Sequence, residues 1–259
     1  MKTFVINLQR AVERKKHMQK SLYRNMKTFV INLQRAVERK KHMQKQLNRF
    51  SFLDVEFIDA IDGKQFSTDE AKSLFDYDTF YKLYGRSPLL AEIGCTLSHI
   101  KSYKKLIDSN EKAALILEDD ACLSNQLNII EELEIDETPQ LILLTPRFSY
   151  SFRIKKIDAD FSLNKLYFGA YTAGYIINKA AAKLICGLAH KPYWVADDWL
   201  LMKKHFNLYG IVPALVYWDE GLETQIQTGE KKSTNIVRLL LSPVALSHKI
   251  LKIIGHYSK

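Results

Sequence analysis

Three carboxylates stand in a row at Glu118-Asp119-Asp120, directly after the apolar run Ala113-Ala114-Leu115-Ile116-Leu117. A continuous apolar run of this length reads as a buried central strand, so the acids fall at a strand end. Like charges this close repel and raise one another's pKa. A divalent cation removes that cost and takes oxygen ligands of this kind. Residues i and i+2 of an extended segment face the same way, so Glu118 and Asp120 are expected to share one site while Asp119 faces elsewhere. The competing explanation is a solvated acidic turn. A haloacid-type phosphatase would want DxDx(T/V) here, and EDDAC does not supply it. A second acidic pair, Asp197-Asp198, lies in VADDW with Trp194 and Trp199 close by. An aspartate there can act as a proton acceptor, or it can cap a helix by accepting backbone N–H bonds. Capping suits Asp197.

The elements that must position these groups follow from the hydrophobic periodicity. Thr28–Leu33 reads as a strand and Ala36–Arg49 as a basic helix. Val55–Ile58 is a short strand closing on the Asp62-Gly63 turn. Aromatic and acidic residues recur at helical spacing over 67–84, and Gly85 to Pro88 breaks the chain. Thr96–Ile107 reads as a helix, Asn128–Leu133 as helical, and Leu141–Leu144 as a buried strand. Tyr171–Ile177 is expected as a strand, Lys179–Leu188 as a helix, Asp197–His205 as helical and Leu208–Val212 as extended. Alternating strands and helices with apolar strands imply an α/β fold with a mostly parallel sheet covered on both faces. Ligands of such sheets bind beyond the carboxyl ends of the strands.

Residues 1–20 recur unchanged as residues 26–45, and Leu22 and Arg24 match Leu47 and Arg49. A solenoid needs three or more diverged repeats, so this is one tandem duplication of a 25-residue unit. Only the second copy runs directly into the rest of the fold. It is expected to supply the first strand, with 1–25 as an extension, 26–230 as the main folded domain and 231–259 as a tail.

The 259 residues are 47% apolar and carry a formal net charge of +9. Residues 1–25 hold seven Lys/Arg against Glu13, and residues 230–259 hold six against Glu230, so the body between them is slightly acidic. That distribution argues against a nucleic-acid binder despite the basic total. Three widely spaced cysteines, no apolar run of membrane-spanning length and no signal-peptide pattern set the expectation of a cytoplasmic protein. The tail mixes Lys231, Lys232, Arg238, Lys249, Lys252 and Lys259 with Leu, Ile and Val around Pro243. Such a segment suits peripheral contact with an anionic membrane surface, or packing on the core with a basic outer face.

Several segments together resemble glycosyltransferase family 25, the lipopolysaccharide (lipooligosaccharide) biosynthesis transferases. They are FVINLQRAVERK (29–40), FIDAIDGK (57–64), EIGCTLSHIKSYKKL (92–106), LILEDDA (115–121), GAYTAGYIINKAAAKL (169–184) and PYWVADDWLL (192–201). The extra N-terminal copy departs from the family pattern. The resemblance implies a GT-A-like fold with a Rossmann-type sheet. It also implies a UDP-hexose donor (galactose or glucose), a growing lipooligosaccharide acceptor, inversion at the anomeric carbon, and Mn²⁺ or Mg²⁺. Glu118-Asp119-Asp120 takes the place of the family's DxD-type motif, with Asp120 and Glu118 as metal ligands and Asp119 toward the donor.

On that basis Asn32, Leu33, Arg35 and Arg39, at the end of the first strand and beyond, are candidates for the nucleotide and diphosphate. Asp62 is a candidate for ribose or base. Ser98 and His99 are expected near a helix start, where phosphate is favoured. Asp198 and then Asp197 are the candidate bases, with Asp219 and Glu220 in reserve, and Tyr171 and Thr172 are weaker candidates for the acceptor. Two rivals stand beside this expectation: a catalytically silent member whose first strand the duplication damaged, and a basic nucleic-acid or membrane binder.

Overall fold

The computed structural model describes residues 25–170 and 173–218. The first repeat copy, Tyr171, Thr172, Asp219, Glu220 and the 231–259 tail lie outside the described residues. An eight-stranded mixed sheet forms the centre, in the order β2-β1-β3-β8-β5-β9-β7-β6. Its strands are β1 (Met26–Asn32), β2 (Leu53–Asp59), β3 (Ala113–Glu118), β5 (Gln140–Leu143), β6 (Phe148–Lys156), β7 (Ser162–Gly169), β8 (Gly174–Asn178) and β9 (Asn207–Val212). A small second sheet pairs β4 (Ala121–Leu123) with β10 (Val216–Trp218) in antiparallel fashion.

β1 is the second repeat copy, as its direct connection to the fold predicts. The physical reason lies just past the identical stretch. Gln46 donates to the Ala121 carbonyl at 2.7 Å and accepts from the Leu123 N–H at 2.8 Å, and Phe50 is buried. The corresponding residues of the first copy are Ser21 and Asn25, too short or too polar for those places.

Strand alternation sorts the core into two layers. Met26 and Val30 of β1 and Leu115 and Leu117 of β3 face helix α1 (Val37–Leu47) through Met43 and Leu47. Phe29, Ile31, Ala114 and Ile116 face the opposite layer. That layer is made by α4 (Leu90–Asp108), α5 (Lys179–Gly187) and the short α6 (Trp199–Met202). A satellite cluster of Ala71, Phe75, Phe80 and Ile93 packs α2 (Thr68–Leu74) and α3 (Tyr77–Tyr84) against α4. The helical spacing over 67–84 resolves into two helices because Asp76 caps the second, accepting from the Thr79 N–H at 3.0 Å.

The fold is α/β and GT-A-like. The apolar runs placed β1, β3, β5 and β9 correctly. The β6–β7 hairpin, β4 and β10 were not foreseen, and β8 runs antiparallel to both of its neighbours. α4 begins at Leu90, two turns before Ser98, because Glu92 accepts the Leu89 N–H at 2.8 Å. Ser98 and His99 therefore lie in the body of that helix, and the expectation of a helix N-terminus at these residues is corrected. Among the described residues no helix is long and apolar enough to cross a membrane.

Candidate functional site

β1 pairs in parallel with β2 on one side and with β3 on the other. The chain thus reverses its direction of winding at β1, and the carboxyl ends of β1 and β3 flank the crevice this creates. In an open α/β sheet that is where a ligand binds. A cleft opens there, lined by Leu33, Arg35 and Arg39 after β1, the Asp62 turn after β2, the acids after β3, and one side of α4.

The third wall depends on two glycines. A Cβ on Gly63 would overlap the Leu90 carbonyl oxygen, and a Cβ on Gly94 would come within 2.5 Å of the Gly63 nitrogen and the Ile61 oxygen. The Asp62 turn and α4 therefore touch backbone to backbone. Ser98 locks the contact: its hydroxyl accepts from the Ile61 N–H at 2.8 Å and donates to the Gly94 carbonyl at 2.6 Å. Asp62 accepts from Lys64 N–H and from Arg35 Nε at 2.8 Å, and the Arg35 guanidinium holds its carboxyl below the usual carboxylate range.

At the end of β3 the three acids have different surroundings. Asp119 is buried and turned toward β1, accepting from Asn32 Nδ2 at 2.7 Å and from Arg39 at 2.5 Å. Burial pushes its carboxyl up, against the pull of Arg39 and Asn32. Asp120 meets Arg39 only at 3.4 Å, and its Oδ1 is buried without a hydrogen-bond partner. Burial, then the neighbouring Glu118 charge, pushes its carboxyl up to about 6. Glu118 closes β3 and its Oε1 lies 3.2 Å from His99 Nε2. An orphaned, desolvated carboxylate oxygen next to a second acid fits a hard divalent cation.

Donor atoms of Cys95, His99 and Glu118 also lie within 4.8 Å of one another. That set would suit a softer metal, but only through a thiolate. In the metal-free protein, burial, with the charges of Glu118, Asp197 and Asp120, pushes the Cys95 thiol well up. Glu118 belongs to both sets: with Asp120 it offers oxygen ligands alone, and with Cys95 and His99 a mixed set.

The second acidic pair corrects one expectation. Asp198, not Asp197, caps α6: its Oδ1 accepts from the Leu201 N–H at 3.0 Å. Its Oδ2 accepts from the Tyr84 hydroxyl at 2.6 Å. Burial and the Asp198 charge push the Tyr84 hydroxyl up, which keeps it a donor. Asp197 is close enough to Cys95, in the cleft wall, for its charge to act on the thiol.

Asn32, Leu33, Arg35, Arg39, Asp62, Ser98, His99, Glu118, Asp119 and Asp120 are thus brought to one strand-end region. Asn32, Ser98 and Asp119 spend hydrogen bonds on holding it together. The Gly63–Gly94 contact was missed; a glycine inside a helical pattern was the available signal. Tyr175 was missed too: it sits in an apolar strand, and only the fold brings its hydroxyl to His99.

The sequence profile of Glycosyltransferase family 25 (LPS biosynthesis protein) matches residues 25–201. Procollagen galactosyltransferase 2 of Homo sapiens is 28% identical over 196 residues, covering 71% of this chain and 27% of that protein. A Glycosyltransferase 25 family member of Aedes aegypti is 42% identical over 74 residues, 26% of this chain and 12% of that one. A namesake from Anopheles gambiae is 30% identical over 145 residues, 51% and 24% of the two chains. The alignments thus span about a quarter or less of these relatives. Among solved structures, the inositol-1-phosphate CTP transferase from T. maritima matches at a TM-score of 0.38 and 10% identity, over 90% of this chain and 96% of that one, too distant to bear on function. The profile covers more than half of the chain, on the segments that build the cleft, and the chain belongs to glycosyltransferase family 25.

Proposed function

We propose that this chain transfers a hexosyl group, galactose or glucose, from a UDP-sugar to a lipooligosaccharide acceptor, with inversion and with a divalent cation. The carrying observation is the orphaned, buried Oδ1 of Asp120 beside Glu118 at the strand end. The family description supports the lipooligosaccharide acceptor, and the galactosyltransferase named among the relatives supports galactose as the hexose.

Glu118 and Asp120 would hold Mn²⁺ or Mg²⁺, which when bound supplies positive charge against the departing diphosphate. Arg35 and Arg39 line the same cleft and would add positive charge toward the phosphates. The acceptor oxygen bonds to the anomeric carbon as the bond from that carbon to the phosphate oxygen breaks, and UDP leaves with the electron pair. The acceptor proton passes to a carboxylate. Asp198 and then Asp197 are the candidates for this role; Asp198 already accepts from Leu201 N–H and the Tyr84 hydroxyl, which holds its carboxylate in place. Asp219 and Glu220 stay in reserve. The intact β1 built from the second copy weighs against a silent member. Peripheral attachment through 231–259, at the cytoplasmic face of an inner membrane, would bring the cleft to a lipid-linked acceptor.

UDP release from UDP-galactose and UDP-glucose with Mn²⁺ tests the proposal. Activity should vanish in Asp120→Ala with the fold kept. Full activity in that variant would remove Asp120 from the mechanism, and no release with any UDP-hexose would remove the donor class.

A further inference from the structure

Beneath the acids lies a line of buried hydroxyl and imidazole groups that the proposed transfer does not use. Tyr103 on α4 and Tyr175 on β8 share a hydrogen bond at 2.7 Å between their hydroxyls. The Tyr175 hydroxyl lies 2.7 Å from His99 Nδ1, and His99 Nε2 lies 3.2 Å from Glu118 Oε1. All three rings are buried, and the His99 and Tyr175 rings stack with centroids 5.8 Å apart.

Proton counting gives the line a direction. An ionised carboxylate only accepts, so His99 Nε2 carries hydrogen. In the neutral ring Nδ1 is then an acceptor and takes the Tyr175 proton, and Tyr175 oxygen takes the Tyr103 proton. Each of the three protons finds an acceptor.

We propose that Tyr103, Tyr175 and His99 form a directional hydrogen-bond relay that fixes the His99 tautomer and orients Glu118 toward the cation. They are positioning residues, and the proposal rests on the Glu118–Asp120 cation site. The signature of such a device is a second partner that sets ring orientation and donor identity for the group next to the metal; its removal costs roughly ten- to a hundredfold in metal affinity. Cys95 lies one turn from His99 on the same helix.

Nitrogen NMR of ¹⁵N-histidine-labelled protein tests the tautomer, with His99→Gln identifying the signal. Calorimetric Mn²⁺ titration tests the consequence. The wild type should show the Nε2–H tautomer. Tyr175→Phe should mix the tautomers and weaken Mn²⁺ about tenfold. Tyr103→Phe, the second variant should the first fail to fold, should do both more weakly, and Glu118→Gln should abolish binding. An Nδ1–H tautomer in the wild type, or unchanged tautomer and Mn²⁺ affinity in both tyrosine variants, overturns the relay. If the wild type takes no Mn²⁺, the cation site falls with it. In that case a tautomer change in Tyr175→Phe still supports the relay, and its absence still overturns it.

Discussion

The two ends of the central sheet do different work. On the β2-β1-β3 side all three strands run the same way, and their carboxyl ends deliver Asn32, Asp62 and Glu118 to one edge. On the β9-β7-β6 side neighbours alternate in direction, and the outer hairpin exposes Phe152, Ile154 and Tyr167 while carrying no candidate residue. Parallel pairing gathers residues distant in sequence at one rim; antiparallel pairing sends every second strand end to the opposite rim. A multi-segment site belongs to the first arrangement.

The largest effect should come from breaking the backbone contact that closes the parallel side. Gly63→Ala puts a methyl into the Leu90 carbonyl, which has no flexible end to move. Overpacking against backbone should cost at least about 3 kcal/mol in urea denaturation. Gly169→Ala, on β7, meets chiefly the Leu143 Cδ1, the far end of a side chain, and should cost less. Equal losses in the two variants would erase the distinction between the two sides.

That contact also marks the limit of what the sequence shows. β3 was legible because a buried strand needs an unbroken apolar run, and its acids were legible because three adjacent carboxylates repel and call for a cation or for solvent. The β6–β7 hairpin went unread although Phe152-Arg153-Ile154-Lys155 alternates apolar and polar at period 2; the fold leaves Phe152 and Ile154 on an exposed edge. The capping role moved from Asp197 to Asp198 because it depends on where α6 starts, and boundaries shift by a residue or two in any such reading. Tyr175 could not be assigned a polar role at all. Its neighbours in β8 are apolar, and His99 is 76 residues away along the chain.

The next effect concerns Asp120 in metal-free protein. Its folded carboxyl sits at about 6, above the ordinary 3.8. A raised carboxyl contributes stability that is fully present below about 3.8 and is lost as pH rises through about 6. At pH 8 the wild type bears a buried charge that Asp120→Asn does not. The full gap corresponds to about 3 kcal/mol; the Asp120 side chain is 26% exposed, so solvent screens part of it, and the variant should be more stable by about 2 kcal/mol, or roughly 5 °C in melting temperature. Near pH 3.5 the two should melt together. Mn²⁺ should raise the wild-type melting temperature at pH 8 and leave Asp120→Asn nearly unmoved. A variant less stable than wild type at pH 8 without metal would mean that Asp120 has a compensating partner.

A smaller effect separates the two repeat copies. Gln46→Ser gives the second copy the residue of the first and removes two hydrogen bonds between α1 and β4. The loss should be about 1–2 kcal/mol. Deleting residues 1–25 from the wild type should leave folding intact. Loss of folding on that deletion would show that the extension supports the parallel side.

The smallest effect should lie on the antiparallel side. Lys155 on β6 pairs with Glu134 at 3.1 Å, but both side chains are largely exposed, at 45% and 63%. Water already solvates both charges, and holding two long side chains in place costs entropy, so the pair contributes little. Lys155→Ala should change stability by no more than about 0.5 kcal/mol and leave UDP release untouched. A clear fall in UDP release, with the melting temperature unchanged, would bring the hairpin into the substrate path. The work of the sheet would then no longer be confined to its parallel rim.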